Sequence, residues 1–150
     1  PTPVYEMRRD HFEVELSGVD ESSNQPVISI TYDGPDGMLA DRLAAEDGTL
    51  DASELDVTYR LTASGDSGPT GVLSVTDRLT GDFVLETNVE PDAIESLVRA
   101  ASDDDEASYR IRLTDGDGKS TVYGKELLLV YDDEGSLRRG ESLIPRGVEL

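Results

Sequence analysis

The sequence predicts an α+β domain, an antiparallel sheet of about eight strands with two helices on one face. Three observations predict it. Short apolar–polar alternations recur along the chain, two segments switch to helical spacing, and the pieces run strand, helix, strand, strand twice, over residues 27–76 and 83–131.

Residues 11–16 place Phe12, Val14 and Leu16 on one side and His11, Glu13 and Glu15 on the other, the pattern of a half-buried strand. A polar break at 22–25 precedes a second strand at 27–32, with Ile28, Ile30 and Tyr32 inward. Asp33, Gly34 and Pro35 turn the chain into a helix whose apolar face is Met38, Leu39 and Leu43. After a loop around Gly48, Leu55, Val57, Tyr59 and Leu61 alternate with Asp56, Thr58, Arg60 and Thr62, the cleanest amphipathic strand of the chain. Residues 64–71, with three glycines and a proline, read as a loop. Residues 72–76 and 83–89 read as strands joined in a hairpin through Thr80, Gly81 and Asp82.

Pro91 suits a first helical turn, and Ile94, Leu97, Val98 and Ala101 follow at i, i+3, i+4 and i+7. The acidic run Asp103, Asp104, Asp105 and Glu106 ends this helix. Tyr109, Ile111 and Leu113 alternate with Arg110 and Arg112, and residues 115–118 form a turn. Residues 122–131 carry Leu127, Leu128, Leu129 and Val130 in a row and read as a central strand buried on both faces. Residues 132–136 make a hairpin turn and 137–143 a last strand, which Pro145 stops.

Tyr59, Arg60 and Leu61 are echoed fifty residues later by Tyr109, Arg110 and Ile111, which suggests a tandem pseudo-repeat. Two strand-helix-strand-strand units in tandem resemble, in topology alone, one domain of a DNA sliding clamp, whose helices face the duplex. The helices here carry Asp36, Asp41 and Glu46 against Arg42, and Asp92 and Glu95 against Arg99. Helices that face phosphate are basic, so the architecture carries over as an expectation and the activity does not.

The chain has 150 residues with 33 acidic and 13 basic side chains, a net charge of −20. That balance excludes an ordinary electrostatic nucleic-acid binder. Successive blocks of 25 residues hold 6, 5, 4, 6, 6 and 6 acids, so the charge belongs to the whole surface. Arginine outnumbers lysine 11 to 2 and aspartate outnumbers glutamate 19 to 14, and large apolar residues are few. Together these features resemble proteins of extreme halophiles. Salt at 1 M shortens the screening length to roughly 3 Å, so dense carboxylates hydrate the surface without repelling one another. Such salt also strengthens apolar burial, which allows a core without tryptophan. A nucleic-acid mimic is the competing reading of the charge, and it requires the acids to gather on one face.

One domain is expected at this length, over residues 11–150, with 1–10 as an N-terminal extension because Met7, Arg8, Arg9 and Asp10 read as an alternative start. The absence of cysteine excludes disulfides, zinc-thiolate sites and thiol nucleophiles. Residues 1–20 contain no apolar run of a signal peptide and no stretch is long enough to span a membrane, so a cytoplasmic protein is expected.

No catalytic residue, cofactor or metal ligand is predicted. Asp115, Asp117 and Glu126 fall at positions 1, 3 and 12 of a calcium-loop pattern, but Lys119 and Ser120 at positions 5 and 6 break it. The run from Asp103 to Glu106 reads as a solvated helix end. His11, the single histidine, could serve a small hydrolase or metabolite binder, yet no G-x-S-x-G elbow or phosphate-cradling glycine motif accompanies it. Arg60, Arg110 and Arg112 could clamp an anion, with cross-strand pairing to acids as the stronger expectation. Residues 136–150 set three arginines against two glutamates in an otherwise acidic chain. Arg138, Arg139, Leu143, Ile144, Arg146, Val148 and Leu150 are therefore the candidate contacts for a partner, with packing of the segment as a terminal strand equally open.

Met7, Arg8, Arg9, Asp10, His11 and Phe12, the segment from Phe83 to Glu86, and the ending from Ser142 through Pro145 to Leu150 resemble a small family of haloarchaeal proteins of unknown function. The resemblance spans nearly the whole chain and implies habitat and single-domain organisation, with no activity to transfer. The expected function is a salt-adapted, non-catalytic interaction or assembly domain that binds a protein partner through its carboxyl-terminal segment and an exposed sheet edge. The alternatives are a clamp-like or nucleic-acid-mimicking accessory of DNA-processing machinery and a small-molecule binder or hydrolase. Direct nucleic-acid or membrane binding is not expected, and homo-oligomerisation stays open.

Overall fold

A computed structural model describes residues 12–18, 26–34, 38–45, 48–65, 68–102, 108–116 and 118–145. In chain order its elements are β1 (Phe12–Ser17), β2 (Val27–Tyr32), α1 (Met38–Leu43), β3 (Ala44–Ala45), β4 (Gly48–Thr49), β5 (Leu55–Gly65), β6 (Gly68–Asp77), β7 (Phe83–Asn88), α2 (Pro91–Ser102), β8 (Tyr109–Thr114), β9 (Ser120–Lys125) and β10 (Leu129–Tyr131). Short 3-10 turns occupy Ala52–Glu54 and Arg139–Glu141.

The strands form two four-stranded mixed sheets and a small β3–β4 ladder, which overturns the expected single antiparallel sheet of eight. The first sheet has the order β1-β2-β8-β9 and the second β10-β5-β6-β7. β2 lies parallel to β8, with Ile28 beside Ile111, and β10 lies parallel to β5, with Val130 beside Tyr59. Both parallel pairs join strands far apart in the chain, and local alternation carries no information about such pairing. The α+β class with two helices gives way to a mostly β chain with one substantial helix, the twelve-residue α2, because α1 spans only six residues.

The clamp-like pseudo-repeat fails for a related reason. Although strand, helix, strand, strand recurs along the chain, the hairpin of each half takes its parallel neighbour from the other half, so neither half forms a unit. The echoed tyrosines do share a local role. Tyr59 Oη donates to Val89 O at 2.6 Å and Tyr109 Oη to Leu127 O at 2.9 Å, each phenol satisfying a main-chain carbonyl outside its own strand.

The apolar alternations lie where the sequence puts them. Ile28, Ile30 and Tyr32, then Leu55, Val57 and Tyr59, then Tyr109, Ile111 and Leu113 are all buried, and the α2 stripe of Ile94, Leu97, Val98 and Ala101 closes over them in one core. Leu39 and Leu43 of α1 join it. At the β6–β7 turn Asp77 Oδ1 accepts the Leu79 and Thr80 N–H groups, and Gly81 takes the left-handed φ of 79° that a glycine supplies without Cβ strain.

Three local expectations are corrected. The glycine-rich stretch 64–71 is largely strand, since β5 runs to Gly65 and β6 starts at Gly68, with the Thr62 and Thr70 hydroxyls hydrogen-bonded across them. The run 122–131 is no single buried strand. β9 ends at Lys125 in the first sheet and β10 begins at Leu129 in the second, so the leucine run is a crossing between sheets with Leu128 fully buried in it. The last strand, 137–143, is replaced by two isolated bridges, Leu137 to Tyr131 and Leu143 to Leu128, around the 3-10 turn.

Candidate functional site

Where α2 starts beside the β5–β10 pair, a groove of about 390 Å³ opens. Its floor is apolar: Tyr59 and Leu61 from β5, Val130 beside Tyr59 on β10, and Pro91 and Ile94 from the first turns of α2. The strand period puts Tyr59 and Leu61 on one face; Tyr59 is sealed in the core, while Leu61 at the outer end stays half-buried. The rim carries Glu95, Asp133, Arg138 and Glu141.

Two hydrogen-bonded devices hold this shape. Tyr59 Oη, donating to Val89 O, fixes the chain two residues before Pro91 and so sets where α2 begins. Burial pushes the Tyr59 phenol well above its ordinary pKa, and Glu90 adds to this, so the hydroxyl remains a donor. On the opposite wall, Arg138 N–H donates to Val130 O at 2.8 Å, and Ser142 Oγ accepts the Val130 N–H at 2.9 Å while donating to Arg138 O at 2.7 Å. The Arg138–Glu141 ion pair at 3.1 Å completes that wall. An apolar floor with a charged rim recognises shape and charge.

The predicted contact residues divide. Arg138 reaches the groove rim and Arg139 lies exposed in the adjoining turn. Leu143 is core, 4% exposed, and exchanges two main-chain hydrogen bonds of 2.9 Å with Leu128, so the segment is structural at this point. Ile144 is half-buried, and Arg146, Val148 and Leu150 lie outside the described residues. Sequence reasoning missed the groove itself. Its one signal was Leu61, an inward apolar residue placed beyond the last large core side chain of its strand.

The remaining candidates do not converge on chemistry. His11 and the run 103–106 lie outside the described residues, as does the 1–10 extension. Asp115 is buried at the β8–β9 turn with its Oδ1 on Gly116 N–H, whereas Glu126 follows the far end of β9, about 20 Å along an extended chain, so the calcium-loop positions diverge. Lys125 donates to Ala52 O at 2.8 Å and Leu55 O at 2.7 Å. Burial lowers its pKa, Arg78 lowers it further, and Asp56 opposes them. Its ammonium fastens β9 to the start of β5. Ion pairs among the described residues include Arg78–Asp56, Arg99–Glu95 and Arg138–Glu141, and none there joins Arg60, Arg110 or Arg112 to an acid as expected. No helix among the described residues is long and apolar enough to cross a membrane.

The model of one protein family, described as a family of unknown function, matches residues 7–150. No curated protein and no solved structure matches the chain.

Proposed function

The chain belongs to that family, DUF5793, and since the family's function is unknown we propose a reading from the chain's own surface: a salt-adapted, non-catalytic interaction domain that receives a protein partner in the α2–β10 groove. The observation that carries it is the groove's construction, an apolar floor walled by a turn that Ser142 and the Arg138–Glu141 pair hold in place. Supporting it, residues 136–150, which set three arginines against two glutamates in an otherwise acidic chain, supply that wall. Salt adaptation is supported by acids spread evenly over the chain, a distribution that screening in concentrated salt makes tolerable.

The test is affinity purification from a lysate of the cells that make the protein, in multimolar KCl, with the full chain and with Leu61→Glu, after circular dichroism shows both folded. A partner bound stoichiometrically by the first and lost by the second is the expected result. A partner retained equally by both would remove the groove from the reading, and no partner with either would leave a small-molecule role as the better one.

A further inference from the structure

Each four-stranded sheet has two edges, and at three of these four the described residues place a charge or a covering group. β1 presents Glu13 and Glu15 along its exposed side, a charge device that discourages added strands. β10 is three residues long and is covered by the Leu137 bridge and the Arg138 N–H. On β7 the Arg42 guanidinium donates to Phe83 O at 3.2 Å. β9 has six residues and neither an acid nor a proline. Among the described residues, no main-chain hydrogen bond from outside the β8 ladder reaches it.

The register shows which groups β9 offers. Asp115 N–H donates to Lys119 O at 2.8 Å, so that pair is hydrogen-bonded, and antiparallel alternation makes Thr121, Tyr123 and Lys125 the next residues bonded to β8. Ser120, Val122 and Gly124 therefore point their N–H and C=O groups to the free edge. Their side positions are exposed, Val122 at 47%, and a Cβ on Gly124 would meet nothing within 4 Å.

On the same face stand Arg112 opposite Val122 and Arg110 opposite Gly124, both exposed. In a chain with 33 acids, neither has an ionic or hydrogen-bonding side-chain partner among the described residues. Alternate residues of a strand sit about 7 Å apart, and a strand added beyond β9 would stand about 10 Å from β8. Arginine and glutamate side chains together cover that distance, and the bare Gly124 leaves the path from Arg110 open.

We propose that β9 is a docking edge for an extended acidic segment of a partner protein. The segment adds as a strand on Ser120, Val122 and Gly124, and carboxylates at its alternate positions are taken by Arg110 and Arg112. Charge complementarity selects this occupant, because two unpaired guanidiniums on a surface otherwise rich in carboxylate call for anions, at the two-residue period of a strand. The site shares no residue with the groove and does not depend on it.

The probe is a fluorescein-labelled hexapeptide, Val-Glu-Val-Glu-Val-Thr, titrated with the full chain in 0.5 M and 2 M KCl and read by anisotropy. A Lys-for-Glu analogue is the control. Binding should weaken by about tenfold or more in Arg110→Gln/Arg112→Gln and for the lysine analogue. Val122→Pro should also abolish it, since proline there removes an outward N–H and leaves the β8 ladder whole. Equal affinity for both peptides, or for the wild type and either variant, overturns the proposal. Sedimentation that shows a dimer dispersed by Val122→Pro, with no peptide bound, assigns the edge to a second copy and overturns it as well.

Discussion

The Tyr59 hydroxyl sits 2.6 Å from the Val89 carbonyl oxygen, and Val89 N–H in turn donates to Gly71 O at 3.1 Å. One phenol on β5 thus fixes the exit from β7 at the point where α2 begins, and it does so from within the core. Tyr59→Phe should cost about 1–3 kcal/mol, since it leaves a buried carbonyl without its donor. Guanidinium titration at constant ionic strength measures it; an unchanged midpoint would mean that the helix entry is held by packing alone.

Gly71 lies against the same ring. A Cβ there would collide with the Tyr59 phenol, so Gly71→Ala must displace the ring and strain its bond to Val89. A loss of about 1–3 kcal/mol is expected. A double-mutant cycle with Tyr59→Phe should show coupling on the order of 1 kcal/mol, because the two sites share one contact. Additive losses would separate them.

High pH should unfold the protein through its tyrosines. Burial raises the phenols of Tyr59 and Tyr109, and raises Tyr123 to about 12, where Asp51 and Glu54 add to the effect. Below the ordinary value of 10 both folded and unfolded states keep these protons. Above it the unfolded state releases them first, so each buried tyrosine removes about 1.4 kcal/mol of stability per pH unit, up to its folded value. Lys125, lowered by burial, acts in the opposite sense as pH approaches 10.5, and three phenols outweigh one amine. Melting temperatures followed from pH 8 to 12 should fall steeply from pH 10. A flat profile would contradict the burial of these rings.

Leu143→Ala should cost about 2–4 kcal/mol, as befits a core leucine. Arg138→Ala, which removes a half-exposed ion pair with Glu141, should cost less than about 1 kcal/mol. Thermal melts of the two variants check the contrast. Equal losses would place Arg138 in a structural role.

α2 and the alternating strands were legible because burial imposes its period on the residues themselves. Ile28, Ile30 and Tyr32 face inward as read, and so does the stripe from Ile94 to Ala101. Sheet membership was not legible. Leu127 to Val130 has the composition of a doubly buried strand, and a chain passing through the core from one sheet to the other needs the same composition. The groove was hidden for another reason: it exists only where β10 reaches β5, a parallel pairing that leaves no local mark. Arg110 and Arg112 were visible as outward arginines, but only the register shows which strand lies beside them and that Gly124 leaves it bare.

Concentrated salt should stabilise the fold. Carboxylates this numerous, spread evenly along the chain, repel one another at low ionic strength, so raising KCl from 0.1 to 2 M should lift the melting temperature on the order of 10 °C or more. Differential scanning fluorimetry tests this, and a melting point insensitive to KCl would sink salt adaptation.

The exchange of strands between halves also governs when the protein can fold. β2 waits for β8, and β5 waits for β10, so neither sheet is complete until residues near 131 have left the ribosome. Until then a β1–β2 hairpin and a β5–β6–β7 meander, each with an open edge where its parallel neighbour belongs, must persist in the nascent chain. Chain topology of this kind, dominated by distant pairings, slows folding. The fold should therefore form in one late step, once β10 is available, and no fragment ending before β10 should protect its amides from exchange.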